Sequence, residues 1–153
     1  PDDITFVCLL NACARSGLSD EARIIFGNMK EEYSITPNLE HHICMMMAFG
    51  CTGYIEEMIS MIKDMPSSDD LVVWLALLGA CRKWVNVNLG IFAFDQALQR
   101  DNSCAAAYIL MADIFAAADL LEDAERLENR RLEYISQTKQ QQSSTQVYAN
   151  WSV

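Results

Sequence analysis

His41, His42, Cys44 and Cys51 form the densest grouping of potential metal ligands in the chain. Structural zinc takes four ligands in tetrahedral array, commonly in pairs two to four residues apart. No Cys-x-x-Cys pair exists here, and these residues lie within an apolar helical pattern, so core packing is the stronger reading and no metal or cofactor is expected. Nucleophile signatures are also missing: there is no Gly-x-Ser-x-Gly, no phosphate-cradling glycine loop and no paired-carboxylate motif. The chemistry to expect is recognition by a non-enzymatic protein, and its residues depend on the elements that carry them.

Those elements repeat. Leu9-Leu10-Asn11-Ala12-Cys13 recurs as Leu77-Leu78-Gly79-Ala80-Cys81, an offset of 68 residues, or two units of 34. Phe6, His42, Trp74 and Tyr108 follow one another at spacings of 36, 32 and 34. Gly17-Leu18-Ser19-Asp20-Glu21-Ala22 is echoed at Gly53–Met58 and at Asp119–Ala124. A period in the mid-thirties with apolar residues at helical spacing marks a helix-turn-helix solenoid. The expected fold is all-α, a right-handed superhelix of about four hairpins.

In the first unit Phe6, Leu9, Leu10 and Cys13 share one helix face, Gly17 stops that helix and Ser19 is placed to cap the next. That second helix turns Ala22, Ile25, Phe26 and Met29 inward, and Pro37 closes the unit. The second unit pairs Ile43, Met46, Met47 and Phe49 with Ile55, Met58, Ile59 and Ile62, before a break at Pro66 to Asp70. The third sets Trp74, Leu77, Leu78 and Cys81 against Leu89, Phe92, Ala93 and Ala97. The fourth sets Tyr108, Met111, Ala112, Phe115 and Ala116 against Leu120, Ala124 and Leu127. Ser136 to Gln146 is rich in Gln, Ser and Thr and reads as a frayed helix end or linker. Val147 to Trp151 then reads as a short aromatic segment folding back on the last hairpin.

Composition narrows the function. The 153 residues are 52% hydrophobic, enough for a core and inconsistent with general disorder. No apolar run reaches the ~18–20 residues of a membrane span, so no membrane is expected as a partner. The net charge of −10 repels a polyanion at long range, the reverse of what nucleic-acid binders usually carry. Six cysteines, all but Cys104 in apolar helical stretches, read as small core residues of a reducing compartment. The opening at Pro1 carries no targeting segment and reads as mid-repeat sequence, the tail of a longer protein.

These residues together resemble a known family. Asp3-Ile4-Thr5-Phe6 with Leu9–Cys13 and Gly17-Leu18 is similar to the long repeat of plant pentatricopeptide repeat (PPR) proteins of the long/short (PLS) class. Leu39-Glu40-His41-His42 and Cys44-Met45, closed by Met65-Pro66, resemble the short repeat that follows it, with His42 in the aromatic slot. Val73-Trp74-x-Ala76-Leu77-Leu78-Gly79-Ala80-Cys81-Arg82 resembles the first of the family's two E motifs. Ala107-Tyr108-Ile109-Leu110 with Glu122-Asp123-Ala124 resembles the second. The resemblance implies two PPR-type repeats over residues 1–70, two E-type units over 71–135 and a Gln/Ser-rich tail over 136–153. In place of the family's basic stretch and Gly-Cys-Ser-Trp ending, the tail is Gln-rich and keeps only Trp151.

PPR repeats read about one base per hairpin through two or three side chains. The family's readout positions, the fifth and last of a repeat, fall on Val7 and Asn38 in the first unit and on Ile43 and Asp70 in the second. Val and Ile cannot hydrogen-bond a base edge, so any base preference would rest on Asn38 and Asp70. The structural alternative makes the four a pair of core-edge aliphatics and a pair of turn residues. Leu75 and Ile109 fill the fifth position in the E-like units, where no code is legible. Eight methionines read as core filler, with an adaptable partner groove as the alternative. Glu122, Asp123, Glu125 and Glu128 read as a solvated face, or more weakly as a dock for a basic partner.

The implied function is RNA binding in a mitochondrion or chloroplast, as the C-terminal part of a site-recognition factor for cytidine-to-uridine editing. Upstream repeats would select the RNA, and this tail would position or recruit a deaminase. The zinc-holding His-x-Glu and Cys-x-x-Cys of a nucleobase deaminase do not occur in this chain, so it cannot deaminate. The alternatives are a non-editing interaction scaffold in an organellar ribonucleoprotein and a peptide-binding tetratricopeptide-type solenoid. The Leu-Leu-Gly-Ala-Cys string and the shortened second unit argue against the last.

Overall fold

Helix boundaries fall where short polar side chains and left-handed residues permit them. A computed structural model describes the backbone of residues 1–150 and the side-chain surroundings of residues 1–143. Asp2 opens α1 (Asp3–Ser16) by accepting from the Thr5 N–H at 2.9 Å, and Gly17 closes it at φ 70°. α2 (Ser19–Glu31) follows. Asn38 opens α3 (Leu39–Thr52), Gly53 closes it at φ 85°, and α4 (Ile55–Asp64) completes the second hairpin. Asp70 opens α5 (Leu71–Trp84), which ends at Val85. Val85 holds φ 51°, the position filled by glycine in the first two hairpins, and a β-branched residue there is strained by about 1–2 kcal/mol. α6 (Val87–Arg100), α7 (Ala105–Ala117) and α8 (Leu121–Asn150) finish the chain. The described residues contain eight helices and no strand, and none of these helices is long and apolar enough to cross a membrane.

Helices α1, α3, α5 and α7 pack side by side as one unbroken row. The second helices of the hairpins pack on their own partner and on the first helix of the following hairpin, and α2 and α4 meet through side chains in the Arg23–Glu57 ion pair at 3.9 Å. The first hairpin makes no contact with the fourth, so the stack stays open, an all-α solenoid whose units are stabilised by their nearest neighbours. One core runs its length through Leu10, Met46, Leu78, Cys81 and Met111, each fully buried.

Several expectations are corrected. Leu9 is 44% exposed, whereas its counterparts Met45, Leu77 and Met111 are fully buried. No described helix lies ahead of α1 to cover it. Met47 and Ala116 are exposed on the first-helix row, while Phe92 is half-exposed and Phe94 takes the buried place in α6. Ser19 does not cap α2; it lies buried in the first turn, and Leu18 stands at the cap without a side-chain bond. Cys8 and Cys51 are exposed, so they are not core cysteines. Residues 136–146 are no linker but continue α8, their hydroxyls bonded back along the helix: Ser136 and Thr138 donate to Leu132 and Tyr134 carbonyls at 2.9 Å. Val147–Asn150 belong to the same helix rather than to a folded-back segment, and Trp151 lies outside the described residues.

Candidate nucleic-acid interface

The side chains carried over as base readers stand on the first-helix row and at its turns. Val7 and Ile43 are half-buried on α1 and α3, in line with Leu75 on α5 and Ile109 on α7. Each begins a stripe of residues four apart: Val7, Asn11, Arg15; Ile43, Met47, Cys51; Leu75, Gly79, Lys83; Ile109, Asp113, Ala117. Residues at i and i+4 lie on one helix face, so the four aliphatics form a ladder across the stack, with Asn11, Met47, Gly79 and Asp113 beyond them.

Asn38 and Asp70 are helix caps. The Asn38 carboxamide oxygen accepts from the His41 N–H at 3.2 Å, and the His41 ring accepts from the Asn38 N–H at 3.2 Å, a reciprocal capping box. The Asn38 amide also donates to the Asp3 carboxylate at 3.1 Å, tying the second hairpin to the start of the first. Asp70 accepts from the Val72 N–H at 3.0 Å. Both polar candidates therefore already serve their own backbone, and the aliphatic pair offers bases only apolar contact.

The histidines and cysteines do not converge. His41 is completely buried, its other ring nitrogen 3.1 Å from the Asp3 carbonyl. His42 occupies the aromatic slot half-buried, edge-to-face with Phe26 at 5.2 Å and with Nδ1 2.7 Å from the Asn38 carbonyl. The Cys44 thiol points back at the Val7 carbonyl, 3.9 Å away, and burial raises its pKa. Cys81, fully buried, is pushed up to about 11 for the same reason. Cys51 faces outward a further two turns along α3. Among the described residues no three His, Cys, Asp or Glu side chains come together as a metal site.

The other slot residues are rigidly held. Trp74 is 7% exposed, donates Nε1–H to the Ser68 carbonyl at 2.9 Å, meets Phe92 edge-to-face at 5.8 Å and carries the Arg100 guanidinium 4.9 Å from its ring. Tyr108 repeats the arrangement, donating to the Asn102 carbonyl six residues back and packing on Phe94 at 5.3 Å. Arg100 and Trp84 escaped the sequence reading. Trp84 donates to the Gly50 carbonyl at 2.7 Å, and the signal that marks the pair is their separation of 34, one repeat.

Charge divides between the two rows. The first helices carry Asp3, Glu40 and Asp113 against Arg15, Arg82 and Lys83, and so are neutral. The second helices hold twelve acidic and eight basic residues, and the remaining six acidic residues lie in turns and caps. The net −10 thus lies off the first helices themselves, on the second helices and, for the larger part, in the turns and caps. An opening of about 540 Å³ lies between α6 and α8, lined by Asp95, Gln99, Arg130, Glu133 and Tyr134 among others.

Comparison with known proteins gives this geometry its family. The PPR repeat profile matches residues 4–33 and 42–69, the first two hairpins. A mitochondrial pentatricopeptide repeat-containing protein of Arabidopsis thaliana is 37% identical over 129 residues, 84% of this chain and 21% of the relative. A chloroplastic one from the same plant is 41% identical over 118 residues, 77% of this chain and 16% of the relative. A third is 39% identical over 127 residues, 83% of this chain and 15% of the relative. The chain spans about a fifth or less of the length of these curated relatives. Hairpins of the right period, stacked through one row of first helices and matched by repeat profile and by relatives, place the chain in the pentatricopeptide repeat family.

Proposed function

We propose that this chain serves an organellar RNA-binding protein as the segment that ends the RNA-reading array, acting by binding and positioning rather than by catalysis. The single observation that carries this is the state of the readout positions. Asn38 and Asp70 are engaged as caps, and Val7, Ile43, Leu75 and Ile109 have no polar atom to offer. A stack that keeps the repeat architecture without free readout groups is suited to spacing and docking.

The names of the relatives, mitochondrial in one case and chloroplastic in another, support an organelle as its location. In the finer reading residues 1–70 are a long and a short repeat, and 71–135 are two E-type units. The protein carrying them selects sites for cytidine-to-uridine editing, and the last two hairpins position or recruit a deaminase. Base preference from Val7, Asn38, Ile43 and Asp70 is weak. The non-editing scaffold remains the competing reading, and the exposed acidic start of α8, with Glu122, Asp123 and Glu125, favours it as a contact for a basic partner.

The test measures RNA affinity of residues 1–153 at physiological salt. The expected dissociation constant is micromolar or weaker, within the non-specific range of roughly 10⁻⁴–10⁻⁶ M. Sequence-specific nanomolar binding would overturn the spacer reading.

A further inference from the structure

Between α6 and α8, both of which pack on α7, the opening of about 540 Å³ falls within the ~300–1,000 Å³ range of pockets that enclose a ligand. Asp95 and Gln99 reach it from α6, and Arg130, Glu133 and Gln137 from α8. None of these five side chains makes a hydrogen bond or ion pair with any described residue. The matching opening between α2 and α4 is smaller, about 260 Å³, and is bridged by its own Arg23–Glu57 ion pair. The last two hairpins thus hold the roomier cleft of the two, and its charges are left open.

Two phenols line the same cleft. Tyr134 donates to the Asn102 carboxamide oxygen at 2.7 Å and Tyr108 to the Asn102 carbonyl at 3.4 Å, so both rings are fixed. Tyr134 stands 34 residues, one repeat, after Arg100. In the third hairpin Arg100 lays its guanidinium 4.9 Å from the Trp74 ring and bonds the Asp69 carboxylate at 3.2 Å. The fourth hairpin keeps the aromatic slot at Tyr108 but has a phenol where that guanidinium would be, with the carboxylates of Asp95 and Glu133 lining the cleft. Aromatic faces with unpaired carboxylates select a guanidinium, which stacks through its plane and bonds through its edge.

We propose that the α6–α8 cleft holds an extended, arginine-bearing peptide segment of a partner protein. The arginine enters along the Tyr134 ring and bonds Asp95 and Glu133. The carboxamides of Gln99 and Gln137, each both donor and acceptor, bond the peptide backbone, and Arg130 takes one of its carbonyls. Two carboxylates against one guanidinium leave the cleft net negative, which favours a basic peptide over RNA. The proposal rests on the docking role given above and deepens it by naming the chemistry of the partner.

The test titrates the 153-residue chain into fluorescein-labelled decapeptides at physiological salt and follows anisotropy. One peptide alternates arginine with serine, the other glutamate with serine; the first should bind and the second should not. Glu133→Lys should weaken binding of the arginine peptide about tenfold, and Gln99→Ala should weaken it severalfold. Glu31→Lys, at the exposed end of α2 in the first hairpin, shifts the net charge as much as Glu133→Lys and should change binding by less than about twofold. Thermal melts by circular dichroism check that each variant folds. If the three variants bind alike, net charge rather than the cleft attracts the peptide and the proposal fails. It fails too if the arginine peptide does not bind. If a labelled oligouridylate, titrated separately, binds the chain and loses affinity on Gln99→Ala, the cleft belongs to RNA and the proposal is overturned. Each of these failures leaves the positioning role standing, because that role is read from editing after deletion of the last two hairpins.

Discussion

The two rows of helices in this stack are built from the same period yet do different work. The first helices pack on one another continuously, are electrically neutral, and bury Leu10, Met46, Leu78 and Met111 completely. The second helices pack less continuously, α2 and α4 meeting in the Arg23–Glu57 ion pair, and they share the acidic excess with the turns and caps. Net charge alone therefore misdescribes the molecule. A chain at −10 can still present an uncharged row to a polyanion, because screening over about 8–10 Å at physiological salt weakens the reach of the far side.

If the first-helix row is the structural spine, the largest losses should follow damage there. Trp74→Ala, which empties a 7% exposed site and orphans the Ser68 carbonyl, should cost on the order of 3–5 kcal/mol in a denaturant titration. An unchanged midpoint would contradict its role as anchor. Gly50→Ala should cost about 1–3 kcal/mol, because the new methyl meets the rigid Ala80 Cβ at 3.0 Å rather than the end of a flexible side chain. Gly27→Ala in α2 meets nothing within 4 Å and should gain about 0.4–1 kcal/mol. Opposite signs for two helical glycines would sharpen the contrast between rows; equal signs would break it.

Asn38→Ala removes a capping box and a tie to Asp3, and should cost about 1 kcal/mol in thermal unfolding. A cost this size at a position carried over as a base reader would show that the residue is retained for the fold. The smallest effect concerns thiols. Cys8 and Cys51 should alkylate readily near neutral pH, while Cys81, held protonated up to about 11 by burial, stays unmodified until unfolding. Because the unfolded thiol ionises first as pH rises, Cys81 contributes stability at neutral pH that is lost progressively as pH climbs toward 11. Mass spectrometry of modified peptides reads the first effect, and melts in alkaline buffers read the second.

Much of the fold was legible because local chemistry and repeat period agree. Gly17 and Gly53 end helices where the pattern breaks, and Trp74, Leu77, Leu78 and Cys81 are all buried as their spacing requires. What failed depended on neighbours that no local pattern encodes. Leu9 differs from Leu77 only in lacking a described helix in front of it, and Met47 is exposed because it faces away from the second helices. Of two adjacent histidines, the capping box rather than the aromatic slot buries His41. The Gln-rich stretch read as a linker by composition, although Gln is a good helix former and nothing in it breaks a helix. At the candidate interface the positions were readable from the resemblance, and their caps are local, reaching three residues to His41 and two to Val72, but the tie from Asn38 to Asp3 spans 35 residues and no local pattern encodes it.

The most direct test of the account removes the last two hairpins. In a protein carrying this chain, deletion of Leu71 to Val153 is predicted to abolish cytidine-to-uridine editing at its target, while affinity for that RNA, measured on the same purified protein, changes by less than about tenfold, the loss expected from one stacked base. If affinity collapses and editing falls only in proportion, the last two hairpins read RNA, and the division between reading and positioning drawn from Asn38, Asp70 and the aliphatic ladder is wrong.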